Sequence, residues 1–306
     1  MLLRHGKNTQ ELKVLTQTHS QKSIVFGASG LLGPYVCQAL KTHGYDVVAV
    51  GKDHATTSCD LTNAEETQAF IAKHQPSAVI NLVALTNVDL CEEQPDFADA
   101  LNRQTVENIV KAISMDTQLV HISTDQVYAE QAGTPPYTEN MTGPINVYGK
   151  SKLAGENEAL KHDKALVLRT NIFGASQTPT RTSLSDFFIK SFQDHTPLKI
   201  FTDSIFTPLH METVGELVAT CLEKEVYGVY NLASRNGMSK ADFALVIASQ
   251  LGASTDNAER VESTNVAGRA LRPKDMRLDP TALENKLGIK MPTLEQEILK
   301  ACAHLK

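Results

Sequence analysis

The sequence predicts an α/β protein in which a doubly wound parallel sheet is followed by a smaller, mostly helical C-terminal lobe. From about residue 22 to residue 173, short apolar runs alternate with helical patterns, as in successive βα units. The run 77–84 is almost continuously apolar, which is typical of a strand buried on both faces of a parallel sheet. Beyond residue 173 this alternation stops, and we expect the second unit there.

Composition excludes several classes of protein. The chain has 306 residues, 42% hydrophobic and 21% charged, with a net charge of -6, which does not favour a nucleic-acid surface. No apolar run has the length of a membrane span. The five cysteines are scattered and the ten histidines lack paired ligand spacing, so we expect reduced thiols, a cytoplasmic protein and no metal site.

Strands are predicted over 23–26, 45–50, 77–84, 119–122 and 165–168, with helices between them. A capping box, Thr62-x-x-Glu65, should open a helix that runs to His74. One long helix is expected over 96–115. In the C-terminal part we expect helices over 184–192 and 213–223, strands over 199–201 and 228–231, and helix caps at Ser239 and Thr293.

A glycine-rich turn joins the first strand to the first helix. The text is Gly27-Ala-Ser29-Gly30-Leu31-Leu32-Gly33, in the strand–turn–helix context that makes such spacing a phosphate-binding hypothesis. The glycines let the backbone approach a pyrophosphate, which then rests on the helix N-terminus. The sequence therefore predicts a dinucleotide cofactor.

The end of the second strand should face the adenosine ribose of that cofactor. A basic residue there favours the 2′-phosphate of NADP(H), whereas an acidic one favours NAD(H). Lys52 favours NADP(H), and the adjacent Asp53 leaves NAD(H) open. Asp60, before Leu61, is either a loop carboxylate or an acceptor for the adenine amino group.

Polar groups follow two further strands. The segment 85–89 ends the third strand, in the crevice where open α/β sheets bind ligands. Ser123-Thr124-Asp125 ends the fourth strand, where a hydroxyl could hold a substrate carbonyl or cap the next turn. We favour the first role.

Tyr148 and Lys152 stand four residues apart on one face of a predicted helix. An ammonium group stabilises a phenolate, so Lys152 should lower the pKa of Tyr148 toward the working range. Gly149 lies between them and costs a helix about 1 kcal/mol relative to alanine, which suggests that another group approaches this backbone closely.

In this order, the glycine turn, Asp60-Leu61, Ser123-Thr124-Asp125 and Tyr148-x-x-x-Lys152 resemble the extended short-chain dehydrogenase/reductase superfamily. Within it, the chain from about Ser23 to its end resembles the dTDP-4-dehydrorhamnose reductase family, through 81–91, 121–125, 136–139, 146–156 and Arg272-Pro273. The resemblance implies a Rossmann-type domain over 22–173, completed by part of 200–235, a mainly substrate-binding lobe over 174–306, and an N-terminal extension over 1–21.

The resemblance also implies reduction of a 4-keto nucleotide sugar by NAD(P)H, in dTDP-rhamnose and polysaccharide biosynthesis. By position, Tyr148 is the proton donor, Lys152 orients the nicotinamide ribose, and Thr124 holds the sugar carbonyl. The residues expected to bind the cofactor are Gly27, Ser29, Gly30, Leu31, Leu32, Gly33, Lys52, Asp60, Leu61, Val83, Ala84, Leu85, Asn102, Tyr148 and Lys152. Those expected to bind the sugar are Thr86, Asn87, Val88, Thr124, Asp125 and Asn171.

The chain departs from the family pattern at two places. Gln126 follows Ser-Thr-Asp where the family often has an aromatic residue, and Asn171 follows an Arg-Thr pair where a tryptophan is common. The sugar or the nucleotide therefore stays open. Candidate cations for the substrate diphosphate are Arg181, Lys190, Arg269 and Arg272.

Two other functions remain open. One is an epimerase or dehydratase that holds NAD tightly. The other is a regulatory subunit similar to the β subunit of methionine adenosyltransferase, which resembles the same family. The oligomeric state is also open, with a homodimer among the alternatives.

Overall fold

A computed structural model of the chain describes residues 21–52, 57–263 and 270–303, apart from the side chain of residue 132. The predictions that concern Asp53, Arg269 and the extension up to residue 20 lie outside the described residues.

The first half of the chain alternates strands and helices as the sequence predicts. Its strands are β1 (Lys22–Phe26), β2 (Asp46–Val50), β3 (Ala78–Asn81), β4 (Gln118–Thr124), β5 (Ala165–Thr170) and β6 (Ile172–Phe173). Its helices are α1 (Gly33–Thr42), α2 (Ala64–His74), α3 (Val88–Glu93), α4 (Pro95–Asp99), α5 (Thr105–Ala112) and α6 (Val147–Ala159).

The C-terminal half is mainly helical with short strands. Its helices are α7 (Leu184–Gln193), α8 (Met211–Glu223), α9 (Lys240–Leu251), α10 (Thr281–Leu287) and α11 (Leu294–Cys302). Its strands are β7 (Leu198–Phe201), β8 (Ile205–Phe206), β9 (Leu209–His210), β10 (Gly228–Asn231), β11 (Met238–Ser239) and β12 (Ala258–Val261).

Within the described part of the chain, six parallel strands form the central sheet, in the order β2-β1-β3-β4-β5-β10. The strand order reverses at β1, which lies between β2 and β3. This is the topological switch point at which open α/β sheets bind ligands, beyond the carboxyl ends of the strands. The predicted fold class is therefore confirmed, and β10 joins this sheet from the C-terminal half.

Helices cover both faces of the sheet. Successive side chains of a strand point to opposite faces, and both faces of this sheet are apolar. Val25 of β1 packs with Val36 of α1 and Val218 of α8 on one face. Ile24 packs with Ile71 and Ile109, of α2 and α5, on the other. A separate core in the C-terminal lobe joins α7, α9 and α11 with β7 and β8.

The long helix predicted over 96–115 is wrong as a single α-helix. The chain here forms α4, then a π-helical segment, Ala100–Gln104, and then α5. The π-helical segment carries Asn102, whose side chain is fully buried. A π-helical insertion changes which way side chains point, and such insertions are frequent at functional sites.

Helix caps were predicted with mixed success. Ser239 and Thr293 accept hydrogen bonds from the N3 amides of α9 and α11, which confirms both caps. The cap predicted at Thr62 is wrong by one residue, because Asn63 accepts hydrogen bonds from the amides of Glu65 and Glu66. No helix in the described ranges combines the length and the apolar character that a membrane crossing requires.

Candidate active site

The glycine-rich turn leaves β1 in a conformation that suits glycine. Gly27 has φ of +85°, and a Cβ there would lie 3.0 Å from the carbonyl carbon of Leu82. A Cβ on Gly33 would lie 2.3 Å from the Ala28 carbonyl oxygen. α1 then begins after Leu32 without a side-chain cap or an acidic residue in its first turn. Uncapped amides at a helix N-terminus suit an anionic group such as a pyrophosphate.

The end of β2 is attached to this turn. Ser29 Oγ accepts a hydrogen bond of 3.2 Å from the backbone amide of Lys52. A Cβ on Gly51 would lie 2.5 Å from the same Oγ, so glycine is required for the close approach. The structure thus brings Lys52 and the glycine turn together, as the dinucleotide hypothesis requires.

Asp60 organises its own loop. Its Oδ1 accepts hydrogen bonds from Thr62, at 3.0 Å from the amide and 2.7 Å from the hydroxyl. These bonds hold the pKa of Asp60 below its ordinary value. Asp60 therefore acts as a loop carboxylate, which is one of the two roles considered for it. Leu61 is buried among the residues of the adjoining core.

The segment after β3 is held by two buried amides. Asn81 Oδ1 accepts from the Val83 amide at 3.1 Å, and Asn102 Oδ1 accepts from the Leu85 amide at 2.8 Å. Asn102 Nδ2 also donates to the Leu85 carbonyl and to Ser151 Oγ. Asn102 is fully buried and bonded at both ends, so it positions the backbone at Leu85, and its contact with a cofactor stays a prediction.

Tyr148 and Thr124 meet at the carboxyl edge of the sheet. Both side chains are largely buried, and Thr124 closes β4 while Tyr148 lies in the first turn of α6. Burial raises the pKa of Tyr148, and a hydrogen bond to Thr124 opposes the rise. Burial dominates, so the pKa of Tyr148 lies above its ordinary value, whereas the spacing to Lys152 predicted a lower one. Thr124 Oγ1 also accepts from the Gln126 amide, so the capping role coexists with the position in the crevice.

Lys152 lies one turn after Tyr148, with its side chain only 2% exposed. Its Nζ donates to the Ile122 carbonyl at 2.7 Å and lies 3.4 Å from His121 Nε2. Burial lowers the pKa of Lys152 to about 8, while the charge of Glu156 acts in the opposite direction. A lysine with this pKa exchanges its proton near neutral pH.

Three features fix α6 against the sheet edge. Asn146 caps the helix by accepting from the Gly149 amide at 2.7 Å. A Cβ on Gly149 would lie 2.2 Å from the Gln126 carbonyl oxygen, which confirms the close approach predicted at this glycine. A Cβ on Gly155 would lie 2.1 Å from the Asn102 carbonyl oxygen. These contacts set where Tyr148 and Lys152 stand.

Asp125 and Asn171 form the far side of the crevice. Asn171 Nδ2 donates to Asp125 Oδ2 at 2.6 Å, and Thr124 donates to the other carboxylate oxygen at 3.1 Å. Burial raises the pKa of Asp125, and these bonds and the charge of Lys240 oppose the rise. Sequence reasoning missed Lys240. The sequence places Lys240 at the start of α9, but no nearby residue indicates that its charge acts on Asp125.

The predicted sugar-binding residues after β3 have mixed positions. Thr86 and Asn87 are exposed, and Asn87 Oδ1 caps α3 by accepting from the Leu90 amide at 3.1 Å. Val88 is buried and packs with Cys91 and Tyr148. The side chain of Val88 thus supports Tyr148, and its contact with the sugar stays a prediction.

The described candidate cations are all on the surface. Arg272 donates to Asp89 at 2.9 Å, which links the C-terminal part to α3 beside the crevice. Arg181 and Lys190 are exposed. The loop that carries Arg181 contacts the glycine turn, because Thr178 donates to the Gly30 carbonyl and Tyr35 donates to the Ala175 carbonyl.

All five cysteines, which lie in the described residues, are free thiols, as predicted. Burial raises the pKa of Cys91, beside Tyr148, to about 11, so this thiol stays protonated at neutral pH.

The family model for the RmlD substrate-binding domain matches residues 21–306. The chain belongs to this family. It is 29% identical over 287 residues to a probable low-salt glycan biosynthesis reductase of Haloferax volcanii, covering 90% of this chain and 95% of that protein. It is also 29% identical over 287 residues to the rat methionine adenosyltransferase 2 subunit beta, covering 90% of this chain and 84% of that protein.

Among solved structures, the chain is similar to dTDP-4-dehydrorhamnose reductase from Bacillus anthracis in complex with NADP. The TM-score is 0.82 with 25% identity, over 92% of this chain and 97% of the other. Family and fold therefore agree with the resemblance seen in the motifs.

Proposed function

We propose that this chain is an NADP(H)-dependent reductase of a 4-keto nucleotide sugar, similar to dTDP-4-dehydrorhamnose reductase. One observation carries the proposal: a buried Tyr148, whose hydroxyl interacts with Thr124, is followed one turn later by Lys152 at the carboxyl edge of the sheet. Reduction of a carbonyl requires an acid at its oxygen, and a tyrosine with a raised pKa is in the acid form at neutral pH.

The residues present fit a dinucleotide. The glycine turn supplies a close backbone approach at Gly27, and α1 offers an uncapped N-terminus. Lys52 would meet a ribose 2′-phosphate, which supports NADP(H) with NAD(H) as the alternative. Gly30, Val83 and Leu85 would line the cofactor. When bound, the reduced nicotinamide supplies the hydride for the carbonyl carbon.

The chain's own groups perform the remaining steps. Thr124 and Tyr148 hold the carbonyl oxygen between two hydroxyl groups, and Tyr148 donates its proton as charge develops there. Lys152, with a pKa of about 8, carries a proton near neutral pH and so stabilises the tyrosinate that forms. Asp125 and Asn171 orient the sugar through the hydrogen-bonding groups that they do not use on each other.

A regulatory role is the second candidate, because the similarity to the rat β subunit extends over 84% of that protein. In that case the chain would bind a cofactor and a partner protein without turnover. Thr124, Tyr148 and Lys152 would then be inherited residues. The likeness to UDP-glucose 4-epimerase from Brucella ovis, at 20% identity, shows the fold alone and does not favour epimerase chemistry.

The deciding experiment follows NADPH absorbance while the pure protein is incubated with a panel of 4-keto nucleotide sugars. We expect oxidation of NADPH with at least one sugar. Tyr148→Phe should lower kcat by about 10²- to 10⁴-fold, the usual contribution of general acid catalysis, because it removes only the acidic hydroxyl.

The matched control is Tyr45→Phe, which removes a hydroxyl near α8, remote from the site. NADPH binding, measured by fluorescence titration, should be nearly unchanged in both variants. An unchanged rate in Tyr148→Phe would exclude the mechanism. Binding of NADPH without oxidation of any sugar would favour the regulatory role.

A further inference from the structure

Lys152 ends a buried line of three polar side chains. Asn81 ends β3, His121 lies in β4, and Lys152 reaches toward them from α6. Asn81 and His121 are each 0% exposed and Lys152 is 2% exposed. Buried polar groups are normally hydrogen-bonded, so the direction of each hydrogen bond in this line has consequences for its neighbour.

The backbone fixes the orientation of the Asn81 amide. Its Oδ1 accepts the Val83 N–H at 3.1 Å, and its Nδ2 therefore faces His121 Nδ1, at 3.2 Å. Turning the amide around would direct an NH₂ group at the Val83 N–H and leave that donor without its acceptor. The cost of an unsatisfied buried donor is about 1–3 kcal/mol.

The orientation of Asn81 in turn fixes the proton on His121. Because Asn81 Nδ2 is a donor, His121 Nδ1 must accept, and a neutral imidazole then carries its proton on Nε2. His121 Nε2 lies 3.4 Å from Lys152 Nζ. An N–H donor can bond to the lone pair of an amine, but it opposes an ammonium group, which has only donors.

We propose that His121 is a positioning residue for Lys152: Asn81 holds the imidazole with its proton on Nε2, and that N–H favours the uncharged amine at Nζ. The amine can then donate to the Ile122 carbonyl, at 2.7 Å, and accept from His121. The line of hydrogen bonds runs from the Val83 amide to Nζ, so the segment after β3 is coupled to the charge of Lys152.

The remaining groups around this line are consistent with the proposal. Burial holds the pKa of His121 well below its ordinary value, so the ring stays neutral. Glu156, on the same helix, favours the ammonium form of Lys152. Its carboxylate is bound by Arg169 from β5, which weakens that effect. Asp125 and Cys91 act on Tyr148.

The consequence for turnover rests on the proposed function. The proposed turnover uses Lys152 in its ammonium form, which stabilises the tyrosinate as Tyr148 gives up its proton, and the Nε2–H of His121 opposes that form. His121 would thereby set the pH range over which the Tyr148–Lys152 pair can donate a proton.

The first test is the tautomer of His121 in the wild-type, cofactor-free protein. Two-bond ¹H–¹⁵N correlation spectra of ¹⁵N-histidine-labelled protein distinguish Nε2–H from Nδ1–H rings, and the His121 signals are assigned by their loss in His121→Phe. We expect a neutral Nε2–H ring that does not titrate between about pH 6 and pH 9. A Nδ1–H ring or an imidazolium would overturn the proposal, and this outcome does not depend on any variant.

The second test is the titration of Lys152, followed through ¹³Cε-labelled lysine and assigned with Lys152→Arg. In His121→Phe the opposing N–H is absent, and we expect the titration midpoint to rise by about one pH unit. His43→Phe, at a half-buried histidine on the other face of the sheet, should leave it unchanged. An unchanged midpoint in His121→Phe would overturn the proposal.

Asn81→Asp covers the case in which His121→Phe does not fold. Its carboxylate accepts from both the Val83 amide and a Nδ1–H, so we expect the opposite tautomer and a raised midpoint for Lys152. An unaltered tautomer would contradict the proposal. Because neither test involves turnover, a protein that passes both and oxidises no NADPH would remove the proposed function while leaving the role of His121 in place.

Discussion

Two buried charged residues on α6 stand one turn apart and have opposite surroundings. Glu156 is 1% exposed, and its carboxylate accepts two hydrogen bonds from Arg169 Nε, at 3.1 and 3.0 Å, another from Nη2 at 2.6 Å, and one from Ser123. Lys152 is 2% exposed, and its hydrogen bond goes to a backbone carbonyl beside a neutral imidazole. The first is a closed ion pair, and the second is a charge without a carboxylate bonded to it.

The difference separates a structural charge from a reactive one. A bidentate guanidinium–carboxylate pair satisfies both ions and fixes geometry, here joining α6 to β5. A buried ammonium bonded only to a carbonyl is destabilised by desolvation and moves toward its neutral form. Helix α6 is thus anchored toward its C-terminal end by Glu156, while Lys152, near its centre, holds a proton that it can exchange.

The largest effect is expected from breaking the ion pair. Arg169→Met leaves Glu156 buried with Ser123 alone, and the loss of one partner of a buried pair costs about 3–5 kcal/mol in unfolding free energy. Arg169 also donates to Tyr128 and to the Glu139 carbonyl, and both bonds would be lost. Urea denaturation gives the measurement.

The control for this change is Arg103→Met. Arg103 bonds Asp99 and Glu107 on the protein surface, where a pair contributes at most about 1 kcal/mol. If Arg169→Met cost no more than Arg103→Met, the distinction between the two charges of α6 would be lost.

Removing the charge of Lys152 should have a smaller effect on the unfolding free energy, and of opposite sign. With a folded pKa of about 8 against an ordinary 10.5, Lys152 binds fewer protons in the folded protein than in the unfolded chain between these values. Stability should therefore rise as pH increases from 8 to 10.5, and the penalty is complete below pH 8. Lys152→Met removes a penalty of up to about 3 kcal/mol at pH 7.

We expect Lys152→Met to be more stable than the wild type at neutral pH, with a difference that shrinks as pH rises above 8. Denaturation at a series of pH values measures it. Lys150→Met is the matched control, since Lys150 is exposed on the same helix and should change little. A Lys152→Met variant that is less stable at pH 7 would show that Lys152 stabilises the fold.

The smallest of the three changes in stability is expected from disturbing the packing of α6 at Gly149. Gly149→Ala should place a Cβ against the Gln126 carbonyl and lower stability by about 1–3 kcal/mol, as overpacking does, despite the better helix propensity of alanine. Thermal denaturation, with Lys150→Ala as control, measures the cost. Equal stability would mean that the close approach at Gly149 does not position Tyr148.

Much of the fold was predictable because its signals are local. The strands of the central sheet, the glycine turn and the caps at Ser239 and Thr293 follow from apolar runs, glycine spacing and side chains that bond within three residues. The π-helical insertion at Asn102 was not predictable in this way. Gly155 of α6 packs closely against it, a contact between residues far apart in the chain.

Within the candidate site, the same division holds. Thr124, Tyr148 and Lys152 were selected from their spacing and from strand ends, and the structure brings them together. Val88 and Asn102 were assigned to ligand contact; what the sequence could not show is that Val88 packs on Tyr148 and that Asn102 holds the backbone at Leu85. The contacts of His121 with Asn81 and Lys152 could not be predicted, because the three residues come from β3, β4 and α6.

By itself, the sequence determined the parallel sheet, its glycine turn and the pair Tyr148 and Lys152, because periodicity, turn chemistry and helical spacing act over a few residues. Only the tertiary structure decided which charges are neutralised and which stay reactive. Desolvation depends on atoms from distant segments: Arg169 reaches Glu156 across 13 positions, and His121 reaches Lys152 across 31. For that reason the pKa of Tyr148 departed from the expectation that the helix alone supplied.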